Sequence, residues 1–317
     1  MRNTCKPNPT SLPQLSQLTT SDRTPRARKN ASNIILACRN TSKGESAVEA
    51  IFRDTKCDPS TCNIQVWELD LTDYNSVLAF STRVRTQLPR LDAFIVNAGM
   101  ELQEYRVAEH LEMHLAVNVV STFLSAIAIL PKLNETSTTY GVKTTLTFCG
   151  SMYHIFGPDE EFDTGLALDT DLFDRLSEPT NTDIIWRYAL SKLMVHLCFH
   201  GLVAALRDSR IDYSRVVVNL INPGWCGTEL SRAKPHPLGE RVAFALMGWT
   251  AEKGSRAYLH ALAAGEESHG MYLSGCRVKG ESQFVRSERG ERVKEKVWRD
   301  LMIRIEKVAP EVAGFIR

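Results

Sequence analysis

Short β-branched apolar runs alternate along this chain with longer stretches of helical periodicity, and that alternation admits very few folds. The runs are "NIILAC" (33–38), "NIQVWEL" (63–69), "LDAFIVNAG" (91–99), "KTTLTFCGS" (143–151) and "YSRVVVNLINPG" (213–224). Between the first three lie two helical stretches. "TSKGESAVEAIFRDTK" puts Val48, Ile51 and Phe52 on one face, with Ser42 as the expected N-cap. "TDYNSVLAFSTRVRTQL" turns Val77, Leu78, Phe80 and Val84 inward. Longer helices are expected at about 107–133 and 183–207. Strands alternating with helices imply an α/β doubly wound parallel sheet with helices on both faces. Runs that are apolar throughout, rather than at every second residue, suit strands buried on both sides.

The remainder of the chain reads as follows. A helix is expected at about 252–264, a short strand at "GMYLS" (270–274) and a basic helix at about 288–308. Val293, Val297, Leu301, Ile305 and Val308 recur at helical spacing in the last and form a core-docking face. Residues 1–30 are polar, proline-bearing and without periodicity, so they are expected to be irregular or disordered, leaving 31–317 as the folded domain.

Composition closes several routes. The formal charge is +1, with both signs interspersed, so no nucleic-acid partner is expected. Eight cysteines form no CxxC pair, and several sit inside apolar runs; they read as reduced thiols of a cytoplasmic protein, with no metal site. No secretory signal precedes the domain, and four prolines break any amphipathic transit helix in the first thirty residues. The most apolar stretch, 115–130, is shorter than the roughly 20 residues a bilayer requires and is expected to be a buried helix, not a membrane span.

In an open α/β sheet, ligands bind beyond the carboxyl ends of the strands. The residues collected there are Arg39, Asp70 with Leu71, Asn97 to Gly99, Gly150 with Ser151, and Asn222 to Gly224. In "WRYALSK", Tyr188 and Lys192 are one helical turn apart on one face. An ammonium beside a phenol favours the phenolate, so Tyr188 is expected to titrate below its ordinary value of about 10 and to exchange protons near neutrality. Ser151 ends a strand and can hydrogen-bond the same substrate oxygen. His196 and His200, four residues apart, lack an HExxH glutamate and read as core histidines. Glu160, Glu161, Asp163, Asp169 and Asp171, in an acidic loop at 157–182, read as a solvated face. Trp186 and Trp225 either line a pocket or pack.

The ordered set "ACRN", "DL", "NAG", an Asn in a long helix, a strand-end Ser, YxxxK and "NPGWCGT" resembles the short-chain dehydrogenase/reductase family over about 31–280. "NIILACRN", the long stretch between Ser151 and Tyr188, "SHGMYLSGCRV" and "FVRSERGERVKEKVW" are similar to its retinol-dehydrogenase-like branch, above all to fungal members acting in secondary metabolism. The resemblance implies that Tyr188 gives a proton to a ketone or takes one from an alcohol. It implies that Lys192 assists Tyr188 and holds the nicotinamide ribose, that Ser151 positions the substrate oxygen, and that Asn118 supports a water relay. It places Asp70 and Leu71 at the adenine, Asn97 and Gly99 along the adenosine, and Pro223, Gly224 and Thr228 near the nicotinamide. Arg39 stands where an acid would bind a ribose 2′-hydroxyl; a cation there suits a 2′-phosphate, hence NADP. The implied activity is NADP(H)-dependent interconversion of a ketone and a secondary alcohol on an apolar secondary metabolite, polyketide- or terpenoid-like. The stretches 152–187 and about 229–250 would shape the pocket, and the Tyr188 helix and the 107–133 helix form a dimer or tetramer face in many relatives.

One part of the pattern is missing. The family begins with a strand and TGxxxGxG, whose glycines bring backbone N–H groups to the pyrophosphate at a helix N-terminus. Here no glycine precedes Gly44, "RARKNASNIIL" resembles the end of the first helix, and "LPQLSQLTT" has too little β-branched bulk for a buried strand. Either the first exon is mis-joined or the first βα unit is lost, in which case the chain is a weak or inactive enzyme or a truncated, non-catalytic binding protein.

Overall fold

A computed structural model describes residues 18–19, 32–55, 58, 62–226 and 248–317. The strands are β1 (Leu18–Thr19), β2 (Asn33–Cys38), β3 (Asn63–Glu68), β4 (Ala93–Val96), the hairpin β5 (Val107–Ala108) and β6 (Leu111–Glu112), then β7 (Thr144–Cys149), β8 (Val216–Asn222) and β9 (Tyr272–Ser274). All but the hairpin run parallel. They form two hydrogen-bonded groups, β1-β2-β3 and β4-β7-β8-β9. Ile34 faces Ile64 and Leu36 faces Val66 across the first group, and Phe148 faces Leu220 across the second. The expected strands all form, and β1 is the piece that was not foreseen.

Leu18 and Thr19 pair in parallel with Leu36 and Ala37, and β1 also lies close to β4. Two residues of "LPQLSQLTT" therefore take the central position that the sequence leaves without a strand. The reason is in the backbone. The open edge of β2 presents N–H and C=O groups that require partners, and pairing them needs no particular side chain. Residues 20–31, where "RARKNAS" was expected to end a helix, lie outside the described residues, as does most of the 1–30 segment.

Helix α1 (Thr41–Thr55) is capped by Asn40, whose side-chain oxygen accepts from the Lys43 N–H at 2.9 Å, and not by Ser42 as expected. Helix α2 (Tyr74–Gln87) is capped by Asp73. The helix expected from about 107 starts later. Glu109 and His110 take left-handed φ values of 51° and 63°, which turn 107–112 into the β5–β6 hairpin. A π-helical turn, Leu115–Ser121, then runs into α3 (Thr122–Tyr140), which ends on left-handed Gly141. The short helices α4 (Phe162–Leu168) and α5 (Leu172–Leu176) precede α6 (Ile184–Asp208), and α7 (Ala251–Ala263), α8 (Glu288–Val308) and α9 (Pro310–Ala313) follow. Leu115–Tyr140 and Ile184–Asp208 are each long and apolar enough to cross a bilayer, but 94% and 78% of their most apolar windows are buried within the fold.

Much of the acidic stretch is exposed, as expected of a solvated face, with the Asp163 and Asp169 side chains 59% and 80% accessible, but it also makes ion pairs. It folds as α4 and α5 and docks on the basic helix α8. Arg289 pairs with Asp159 and Asp163, Arg299 with Asp169, and Arg304 with Asp171 and Asp174. Phe162 and Phe173 are buried beneath these pairs. Among the described residues no cluster of His, Cys, Asp or Glu could hold a metal. Cys38, Cys62, Cys149, Cys198 and Cys226 are reduced, as expected; Cys276, on a loop rather than in an apolar run, is disulfide-bonded, against the expectation that all are reduced.

Helix α8 also covers the joint face of α3 and α6. The Trp298 ring sits edge-on to Phe123 at 6.4 Å and lies directly over Gly201, where a Cβ would meet ring carbons at 2.6 Å. The absence of a side chain at Gly201 is what lets the two helices approach. Gly201→Val therefore lowers stability by about 2–3 kcal/mol through overpacking, read from chemical denaturation midpoints.

Candidate active site

The site is assembled at the carboxyl edge of the sheet from four elements. Ser151 lies two residues beyond β7 in extended conformation (φ −159°), and its Oγ accepts from the Tyr153 N–H at 3.1 Å, starting the 3₁₀ turn Met152–Phe156. Helix α6 starts at Asp183, which caps the Ile185 N–H, and presents Tyr188 and Lys192 one turn apart. The Ser151 side chain lies close enough to the Tyr188 phenol to influence its titration. The Lys192 Nζ is buried and donates to the Cys149 carbonyl at 2.9 Å.

Asn118 sits in the π-helical turn. Its Oδ1 accepts from the Met100 N–H at 2.8 Å, and its Nδ2 donates to the Met100 carbonyl at 3.0 Å and to Ser191 Oγ at 3.0 Å. Ser191 in turn donates to the Tyr188 carbonyl at 2.8 Å. A Cβ at Gly99 would lie 3.2 Å from Asn118 Oδ1 and 3.6 Å from Lys192 Nζ. Gly99 thus lets the strand-end loop lie against both groups, and Ser151, Tyr188, Lys192, Asn118 and Gly99 share one locus.

The acid–base character differs from the expectation. Burial, with Cys149 and Glu101 nearby, pushes the Tyr188 phenol well above its ordinary value, and the neighbouring Ser151 hydroxyl offsets only part of this. Burial outweighs the pull expected of Lys192, whose ammonium is directed at the Cys149 carbonyl, 5.8 Å from the Tyr188 ring centre. Burial lowers the lysine itself below 10.5. Tyr188 in this state is a neutral phenol, a proton donor.

The cofactor-side candidates are spread along the same edge. Arg39 is exposed just past β2 and makes no ion pair among the described residues. Asp70 Oδ1 accepts from both the N–H and hydroxyl of Thr72, at 2.8 and 2.7 Å, and Leu71 is buried. The Asn97 side-chain oxygen accepts from the Tyr258 hydroxyl. Pro223 precedes Gly224, whose φ of 87° and contact with the Trp249 ring exclude a side chain. Thr228 and most of 229–250 lie outside the described residues. Trp186 is exposed at 45%, beside exposed Ile185, and Met152, Ile155 and Phe156 are exposed on the neighbouring turn.

Several participants were not singled out from sequence. Tyr153 stands edge-on to Tyr188 at 5.9 Å. Arg187, fully buried, pairs with Glu161 at 3.1 Å and donates to the Asn181 carbonyl, tying the start of α6 to the stretch before it. The adjacency of Arg187 to Tyr188 in "WRYALSK" was the one available signal. His196 is a core residue as expected, but His200 is 29% exposed, and both hydrogen-bond Glu281.

A family model described as short chain dehydrogenase matches residues 26–144. The chain is 36% identical to a short chain dehydrogenase/reductase of Cryptosporiopsis sp., over 90% of this chain and 86% of that protein. It is 31% identical to a short-chain dehydrogenase/reductase of Aspergillus flavipes, over 90% and 82% of the two chains. Of solved structures, a Mycobacterium paratuberculosis protein of unassigned function aligns with a TM-score of 0.63 at 20% identity, covering 94% of this chain and 95% of that one. The NADPH-bound carbonyl reductase from chicken fatty liver aligns with a TM-score of 0.57 at 15% identity, covering 84% and 98%. The chain belongs to the short-chain dehydrogenase/reductase family, and the two curated relatives cited are fungal.

The Tyr188 environment has a direct spectroscopic consequence. Raised by burial, this phenol stays protonated through the ordinary tyrosine range near pH 10, so wild type and Tyr188→Phe give the same phenolate absorbance on titration up to about that pH.

Proposed function

We propose that this chain is an NADP(H)-dependent oxidoreductase interconverting a ketone and a secondary alcohol on an apolar small molecule of polyketide or terpenoid type. The observation that supports it most is the convergence of Ser151, Tyr188, Lys192 and Asn118 from separate elements at the carboxyl edge of a parallel sheet. The chain's residues fit a dinucleotide at both ends. Arg39 offers an exposed cation beyond β2, suited to a 2′-phosphate, and Gly99 and Gly224 leave side-chain-free surface beside Lys192 and Trp249. Asp70, Leu71, Asn97, Pro223 and Thr228 complete the proposed contact set. A Pseudomonas aeruginosa protein of this fold, aligned with a TM-score of 0.58 at 16% identity, was solved with NADP at its active site.

Bound there, NADPH supplies the hydride. The protein supplies the proton and the orientation. Tyr188, as a neutral phenol, donates its proton to the substrate oxygen as negative charge develops on it, and the Ser151 hydroxyl donates a hydrogen bond to the same atom. The Lys192 ammonium stabilises the resulting phenolate electrostatically, a task that the neutral resting state leaves open to it. Asn118 fixes the backbone at Met100 and, through Ser191, the carbonyl of Tyr188. Met152, Ile155, Phe156, Ile185 and Trp186 put apolar surface at the mouth and favour an apolar substrate.

In calorimetry, NADPH binds this chain, and Arg39→Ala weakens that binding about ten- to hundredfold while leaving NADH binding unchanged, as loss of one charge-assisted contact requires. Tyr188→Phe keeps cofactor binding and lowers turnover of reducible ketones by about 10²–10⁴. Failure of NADPH to bind the folded chain overturns the assignment. Because α8 covers the α3–α6 face, we further propose that the protein does not pair through that face; light scattering at micromolar concentration then gives one chain's mass, 35.6 kDa.

A further inference from the structure

A second cluster of titratable groups lies behind Ser151, outside the set used above. His154 is buried in the turn that Ser151 starts. Its Nε2 accepts from the Ser282 backbone N–H at 3.1 Å, so its proton resides on Nδ1 and is donated to the Ser151 carbonyl at 2.7 Å. The His196 ring stacks on that of His154 at 3.8 Å and 16°. Its Nδ1 bonds one oxygen of Glu281 at 2.5 Å, and the other oxygen bonds His200 Nε2 at 2.5 Å. Tyr272 closes both rings edge-on. The far nitrogen of His196 is buried without a partner and faces Gly150, where a Cβ would lie 3.0 Å away. One short segment between β9 and α8 thus contacts the serine turn twice, at Ser282 directly and at Glu281 through the stacked rings.

We propose that Glu281 is a positioning residue for the Ser151 turn, acting through the stacked pair His196 and His154, so that the segment after β9 fixes the hydroxyl on which Tyr188 depends. This rests on the proposed function only for the role given to Ser151. Protons reach the cluster through a cleft beside Glu281 and His200. A cleft of about 510 Å³ reaches Glu281 and His200, and its other charged or titratable lining groups are Arg207, His269, Arg286, Glu291 and Lys294. Burial lowers His196 from 6.5 to about 4, with Glu281 opposing and His154 and His200 adding to the shift. Burial raises the Glu281 carboxyl, but its two histidine partners bring it down to about 2. A loosened turn would therefore bind a proton at His196 near 6.5 and the closed turn only near 4, so falling pH between these values favours the loosened form.

Amide hydrogen exchange, corrected for intrinsic chemistry, reads this on the unliganded full chain. Peptides spanning 151–156 report the turn, and peptides spanning 216–222 report the sheet as an internal reference. In wild type, turn exchange speeds up on the order of tenfold between about pH 7.5 and pH 5 while the sheet holds. In Glu281→Ala the turn is already fast at the higher pH and the pH step is lost. His200→Ala, which removes only the half-exposed partner, gives a smaller change in the same direction. A turn that shows no pH step in wild type, or that loosens only together with 216–222, overturns the proposal. The wild-type measurement stands even if Glu281→Ala does not fold. Because no cofactor or substrate is added, the outcome is independent of whether the chain binds NADPH.

Discussion

The buried ammonium of Lys192 and the carbonyl of Cys149 form the contact on which the site's geometry rests. An ammonium taken out of water is tolerated only with a good acceptor, and the hydrogen bond at 2.9 Å to the last residue of β7 provides one. That bond fixes the register of α6 against the sheet. With it fixed, Tyr188 one turn earlier faces Ser151, and His196 one turn later faces Gly150 and stacks on His154. Burial of the phenol outweighs the pull of the same ammonium, so Tyr188 is a proton donor in the resting protein.

Around this frame the insertion and the tail act as one unit. Acidic α4 and α5 and basic α8 meet through Arg289, Arg299 and Arg304. Exposed pairs of this kind contribute about 0–1 kcal/mol each, whereas each fully buried Phe, Leu or Val contributes about 1.5–3 kcal/mol. Phe162, Phe173, Val293, Val297 and Leu301 are all fully buried, so apolar burial supplies the stability and the charges select which helix docks where. The consequence is that α8 packs tightly on α6, with Trp298 seated over Gly201 and edge-on to Phe123 of α3.

The sheet was legible from the chain because it depends on local pattern, and so was the Ser-to-YxxxK part of the proposed site. Runs such as "NIILAC" and "KTTLTFC" become buried parallel strands for want of alternation, and a strand-end Ser followed by YxxxK on a helix converges because β-ends and helix faces have fixed geometry. Boundaries were less legible. The turn at Glu109 and His110 depends on left-handed backbone at two residues not specialised for it. Leu18–Thr19 joins the sheet by parallel pairing with β2, which no side-chain pattern announces.

Period and spacing, which belong to single segments, point from the chain to the parallel α/β architecture, its carboxyl edge, and Ser151 with the Tyr188–Lys192 pair, while Asn118 is pointed to only by the family resemblance. Only the tertiary structure decided where Lys192 directs its charge, what the acidic stretch and the basic helix do to each other, and that Glu281 reaches the serine turn from 130 positions away. Those outcomes depend on which groups are desolvated together, and burial is set by the whole fold, not by any neighbourhood in the chain.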